Sequence, residues 1–168
     1  MSTPNRLSRS SGFSWVELMF VIAVIGILAM MTIPGIQENA VKKQVKDGLV
    51  LADVAKGGVQ AAYSLTGAMP ADNAAAGVPA KEKIIGSLVK EVAVEGGAIT
   101  LTFGNNASKI LDGKHVTLLP AVVKGEAAVP IAWICHDVPV PAGMQLMGND
   151  RTDIESKYLP IDCRGVKK

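Results

Sequence analysis

The chain has 168 residues, 49% of them hydrophobic, with 17 basic and 15 acidic side chains and a formal net charge of +2. That length suits one domain plus an apolar anchor, and the near balance of charge argues against a dedicated nucleic-acid binder, which needs a basic surface. The aromatic residues, two Trp, two Tyr and three Phe, are too few for an electron-conducting stack.

Residues 1–12, MSTPNRLSRSSG, carry Arg6 and Arg9 and no acid. The next 22 residues, Phe13 to Pro34, are apolar but for one formal charge, Glu17. About 20 such residues cross a bilayer as a helix. The basic flank places residues 1–12 in the cytoplasm and everything after Pro34 outside. A secretory signal is excluded, because its A-x-A cleavage site follows the apolar region and GIQENAVKKQ offers none. An uncleaved signal anchor is the plain alternative. It leaves unexplained a glycine directly before the run and a carboxylate five residues after that glycine.

The block GFSWVELMFVIAVIGILAMMTIPG resembles the N-terminus of type IV pilins and the related pseudopilins. The resemblance rests on Gly12, then Phe13, then Glu17 fifth and Pro34 twenty-second counting from Phe13, with apolar residues between. It implies cleavage between Gly12 and Phe13 by a prepilin peptidase, N-methylation of Phe13, and assembly into a helical filament in which Glu17 and Pro34 have a part. Removal of residues 1–12 leaves 15 basic against 15 acidic side chains, since both leader charges are basic. A neutral subunit packs against copies of itself without mutual repulsion.

Glu17 carries most of the physics of this region. An ionised side chain mid-membrane costs on the order of 3 kcal/mol, less near an interface where it can snorkel. In a lipid-free filament it is buried among apolar helices and needs a partner. The α-amino group released at Phe13 is the obvious cation, and the resemblance favours pairing with another subunit's amine over a solvated carboxylate without a role. Trp15 and Phe20 are expected in the filament core.

In GIQENAVKKQVKDGLVLADVAKGGVQAAYSLT, Val41, Val45, Leu49 and Ala52 recur at helical spacing, as do Val50, Val54, Val59 and Ala62, with charges between them. This predicts an amphipathic helix laid on a core. It continues the apolar helix, giving a rod from about Ser14 to about Leu65, about 78 Å at 1.5 Å per residue. Pro34-Gly35 should kink or loosen it. Gly57-Gly58 is a second weak point or a place where a strand approaches closely. Thr66-Gly67 and Pro70 end it. Residues 67–86 read as a Gly/Ala/Pro-rich surface loop with a short helical turn near Ala80–Ile84.

From Ser87 the period becomes two. Leu88, Val92 and Val94 precede Glu95-Gly96-Gly97, and Ile99, Leu101 and Phe103 follow in alternation with threonines, which predicts a hairpin. Asn105-Asn106 breaks the second strand. A third strand is expected near His115–Val123 and a fourth near Ile131–His136. The fold class is therefore α+β: a long N-terminal helix packed on a roughly four-stranded antiparallel sheet. AITLTFGN, DGKHVTLLP and IAWIC also look like the body of type IVa major pilins, which implies the pilin fold. The domains expected are a cleaved leader (1–12), a membrane and filament-core helix (13–34) and a globular domain (35–168).

Cys135 and Cys163 both lie beyond the membrane run; an even count in an oxidising compartment favours one disulfide. The C-terminal segment from His136 has little periodicity and several prolines, and KYLPIDCR resembles the close of the disulfide-bounded region of these pilins. No catalytic constellation emerges, so no enzyme and no cofactor is expected. His136 adjoins Cys135 and Asp137, but a disulfide-bonded Cys135 is no ligand, and no metal site is expected. The expected function is a structural subunit of a type IV pilus, acting in adhesion, twitching motility, biofilm formation or DNA uptake. The expected partners are copies of itself, the prepilin peptidase, the assembly machinery of the inner membrane, and a surface or DNA ligand. The chain is expected first as a single-pass inner-membrane precursor and then in an extracellular fimbrium. A minor pilin or type II secretion pseudopilin, and a monomeric membrane-anchored periplasmic binding domain, are the alternatives; the disulfide-bounded C-terminus and TFGNN-type sheet favour a pilin.

Overall fold

A computed structural model describes residues 12–165, the side chains of 31–36 excepted. The expected leader lies outside the described residues apart from Gly12. The chain divides between Gln37 and Glu38 into two compact units.

In the first unit, helix α1 (Trp15–Leu49) begins with the apolar run. The described side chains of the run, residues 13–30, are all exposed, with Phe13, Trp15 and Phe20 each above 70%. Among the described residues no helix is long and apolar enough to cross a membrane. The side chains of Met31 to Pro34, which close the expected span, lie outside them. The α-helix is assigned without interruption through Pro34-Gly35; the first departure from it is a 3-10 turn at Val50–Ala52, followed by α2 (Asp53–Thr66).

The second unit is a helix-on-sheet domain. Val41, Val45, Ala52, Ala55, Val59 and Tyr63 form the buried helical face. Val50 and Val54, expected with that set, are 66% and 50% exposed. At 100° per residue Val50 lies about 140° around the helix from Val45, so the two cannot share a face. Gly58 gives room for the loop rather than a strand: a Cβ there would meet Ala76 O at 2.5 Å. Gly67 (φ 69°) ends α2 in the left-handed conformation, donating its N–H to Tyr63 O at 2.8 Å.

Strands β1 (Val89–Glu95), β2 (Ala98–Phe103), β3 (His115–Val123) and β4 (Ala132–Cys135) form an antiparallel meander in that order. Gly96 and Gly97, with φ 58° and 84°, make the two-residue hairpin turn between β1 and β2, where both positions need positive φ. The register pairs Val94 with Ile99, Ile99 with Leu118, Val92 with Leu101 and Leu101 with Val116, putting one apolar set on the helix side. A fifth strand, β5 (Met144–Leu146), was not legible in the sequence. It pairs with β3 over Ala121–Val123, beyond the stretch that β2 covers. Strand β3 is buried over seven consecutive residues, so both its faces are covered.

Close packing of helix on sheet centres on Gly48. A Cβ there would lie 2.5 Å from Phe103 Cε1 and 3.2 Å from Val89 Cγ2. Gly48→Ala gains about 1 kcal/mol of helix propensity, but overpacking of this kind costs about 1–3 kcal/mol. The variant should be less stable in urea unfolding, and Phe103→Leu should restore part of the loss. A Gly48→Ala domain more stable than the parent would refute this contact as a packing constraint.

Candidate assembly site and C-terminal clasp

The N-terminal candidates are brought together by the start of α1. Gly12 and Phe13 precede the helix outside any regular element, and a Cβ on Gly12 would meet nothing within 4 Å. Ser14 is the N-cap: its carbonyl accepts the first helical hydrogen bond, from Leu18 N at 3.0 Å. Glu17, in the first turn, accepts the Ser14 N–H at Oε2, 3.2 Å away. That is the carboxylate half of a capping box, and a negative group in the first turn also complements the helix dipole. The sequence signal for this cap is Ser-x-x-Glu directly before an apolar run. Glu17 thus has a partner within its own chain. Pro34 lies within α1, but its side chain is outside the described residues.

At the other end, Cys135 and Cys163 are joined, with Cα atoms 4.7 Å apart. The chain between them is threaded back over the sheet. Thr100 and Thr117, opposite each other on β2 and β3, are buried with hydroxyls 3.1 Å apart. Arg151 N donates to Thr117 Oγ1 at 3.1 Å, and Thr117 N donates to Thr152 Oγ1 at 3.0 Å. Residues 150–153 therefore form a strap across the sheet face remote from the helices. Ile154 and Leu159, both buried, anchor it beyond. Arg151 Nη1 reaches both carboxylate oxygens of Glu95 at 3.0 Å.

The chain's two histidines each engage an aspartate of this strap. Asp153 Oδ1 accepts His115 N at 2.6 Å, and its Oδ2 lies 3.2 Å from His115 Nδ1. Asp150 Oδ2 lies 2.8 Å from His136 Nδ1, and its Oδ1 accepts Thr152 N at 2.8 Å. Burial pushes the Asp150 carboxyl up, but hydrogen bonds from Thr152 and His136 outweigh it and hold the group below the ordinary carboxylate value. Burial likewise opposes, and the His115 hydrogen bonds and the charges of His115 and Lys114 outweigh, so Asp153 is also held low. Nothing in the sequence pointed to these pairs: His136 and Asp150 are 14 residues apart, His115 and Asp153 are 38 apart.

An exposed apolar helical run precedes a helix-on-meander domain that a C-terminal disulfide closes. The chain belongs to the pilin family of bacterial filament proteins, whose family model matches residues 41–164. It is 37% identical over 158 residues to the type IV major pilin protein PilE of Neisseria gonorrhoeae, covering 91% of this chain and 93% of that one. It is 35% identical to the fimbrial protein EcpC of Eikenella corrodens, covering 92% and 91%. It is 28% identical to the type IV major fimbrial protein FimA of Dichelobacter nodosus, covering 94% and 96%.

The depressed carboxyls make acid stability a test of the clasp. A folded-state value below the unfolded one contributes stability that is present above about pH 4 and is lost as pH falls through the folded value. Acid unfolding followed by circular dichroism should therefore be shallower between about pH 4 and pH 2 in Asp150→Asn/Asp153→Asn than in the parent. An unchanged slope would show that these carboxylates are not coupled to folding.

Proposed function

We propose that this chain is the major structural subunit of a type IV pilus. The observation that carries the proposal is the apolar run from Phe13 to Met30, helical from Trp15, exposed along its described length and bearing one carboxylate in the helix's first turn. Burying a side chain of Leu, Ile, Val or Phe stabilises by about 1.5–3 kcal/mol, so a run of them uncovered in one subunit drives it into lipid or into other copies. The printed names of the relatives, type IV major pilin and fimbrial protein, support the second destination as the final one.

Before assembly the subunit is a single-pass protein of the inner membrane, with residues 1–12 cytoplasmic. A prepilin peptidase cuts between Gly12 and Phe13, where glycine offers no side chain to obstruct a cleft, and Phe13 is then N-methylated. Methylation leaves the amine cationic. In the filament, Glu17 of one subunit pairs with the Phe13 amine of another. The Ser14 N–H occupies one oxygen of the Glu17 carboxylate, and a carboxylate has a second to offer the incoming amine. An unpaired carboxylate among apolar helices would take up a proton instead, so the pair sets the depth at which a subunit docks. The assembly machinery of the inner membrane adds subunits one at a time. The filament then serves in adhesion, twitching motility or DNA uptake.

Intact-mass measurement of sheared filaments should find this chain as the bulk component, beginning at methylated Phe13. Retention of Met1 to Gly12 would overturn the processing scheme. Glu17→Val should leave cleavage and membrane anchoring intact and reduce filaments to a small fraction, with poor incorporation when co-expressed with the parent. Abundant normal filaments from Glu17→Val alone would show that the pair is dispensable.

A further inference from the structure

We infer that the connection 70–79 is an edge guard: it closes the outer edge of β1 to pairing with the β1 of a second copy, and the Asn73 carboxamide holds it shut. An edge strand presents N–H and C=O groups that template pairing with another chain. β1 is the first strand of the meander, so one of its edges has no strand beside it. Lys90, Glu91 and Glu95 place charge toward its two ends and leave Val92-Ala93-Val94 as an uncharged middle. Asn73 sits against that middle and is only 8% exposed. Its Oδ1 accepts the Val94 N–H at 2.8 Å, and its Nδ2 donates to Val92 O at 3.0 Å and to Pro79 O at 2.9 Å. Both N–H groups and the oxygen of the amide are thereby used. Donating to the carbonyl of residue 92 and accepting from the N–H of residue 94 is what a residue of a parallel neighbouring strand would do opposite Ala93. One side chain thus stands where an added strand would have to enter.

The guard is fixed on three further sides. At the hairpin turn, Gly96 N donates to Ala71 O at 3.2 Å and Gly97 N to Pro70 O at 2.9 Å. Within the connection, Val78 N donates to Asn73 O at 3.0 Å and Ala75 N to Asp72 Oδ1 at 2.8 Å. On the helix side Ala76 is buried, and a Cβ on Gly58 would meet its carbonyl oxygen at 2.5 Å and the Val78 side chain as well. A Gly/Ala/Pro-rich segment is therefore clamped between α2 and the edge of β1. Copies of a filament protein meet at high local density, where an open edge would compete with the correct contacts.

The outward groups of Val92 and Val94 set the register an opened edge would take. They pair with Val94 and Val92 of the second copy in antiparallel fashion, and Ala93 then faces Ala93 at a non-hydrogen-bonded position, where side chains come closest. Glu91 would oppose Glu95 across that pair, although each has a cation of its own chain, Lys81 at 3.6 Å and Arg151 at 3.0 Å. The contact is weak, and cross-linking suits it because a covalent bond traps what an equilibrium measurement would miss.

The test uses the full-length chain in detergent, carrying Ala93→Cys. Ala93 lines the groove beside Asn73 and is partly exposed. The added thiol is the single free one, because both native cysteines are in the disulfide. Two substitutions open the edge from opposite sides. Asn73→Ala removes the amide, and Gly58→Ala pushes the guard off α2 while favouring the helix itself. The Val94 amide should exchange on the order of tenfold faster in Asn73→Ala, the size of one lost buried hydrogen bond. Under mild oxidation both variants should give severalfold more disulfide-linked dimer than Ala93→Cys alone. Protected amides from Ile99 to Leu101 report that each is folded. If Asn73→Ala does not fold, Gly58→Ala decides by the same yield. Dimer no more abundant in a folded variant than in Ala93→Cys alone would overturn the inference, whether or not Val94 exchanges faster.

Discussion

An apolar helix that one subunit leaves uncovered is the constraint on which the rest of this molecule depends. Val21, Ile22, Val24, Ile25, Ile27 and Leu28 are all exposed in a row. Water is an untenable final environment for such a surface. The helix can be stored in lipid or packed against its own kind, and the same apolar face serves both. On the proposed reading, Glu17 distinguishes the two. Beside the membrane it is tolerated near an interface, held by the Ser14 N–H. Inside a lipid-free bundle it requires a cation. In the proposed filament, a single carboxylate would add a positional requirement to a hydrophobic force that has none of its own.

The globular domain answers a different problem, how to close a short meander on both faces. On the helix side the answer is ordinary core packing, with Phe103 lying over Gly48 and Leu101 beside Val92 and Val116. On the far side the described residues form no second sheet. The chain instead lays residues 150–153 over Thr100 and Thr117 and satisfies the buried hydroxyls by hydrogen bonds to strap and neighbour. Such a strap has few apolar contacts of its own, which makes it a low-stability element by nature. The Cys135–Cys163 bond, spanning 28 residues, compensates by restricting the unfolded chain, about 3.5 kcal/mol in the chain-entropy account. Histidine–aspartate pairs then fix the strap's register at both ends.

The sequence was most informative where one physical pattern dominates. The Gly12–Glu17 spacing and the apolar run identified the family before any fold was known. The Gly96-Gly97 hairpin and the alternation through Phe103 located two strands, and Gly67 located the helix end. It was least informative where structure comes from non-local pairing. Strand β5 has three residues and no alternation of its own; it exists because β3 offers an open edge at Ala121–Val123. The strap is a string of polar residues, and its partners lie up to 38 residues away. Val50 and Val54 misled because apolar spacing along a helix defines two stripes here, and only the position of the sheet decides which is buried. In the candidate site, Ser14 was legible through Ser-x-x-Glu but was overshadowed by the charge of Glu17.

The central claim is that copies of this chain cover one another's apolar helices. Determining the structure of the native filament by electron cryomicroscopy tests it most directly. The account predicts that the side chains from Phe13 to Met30 are buried against the corresponding helices of other subunits, with each Glu17 carboxylate within hydrogen-bonding distance of a neighbour's Phe13 nitrogen. A filament held together by the globular domains alone, with those helices outside any subunit contact, would contradict it.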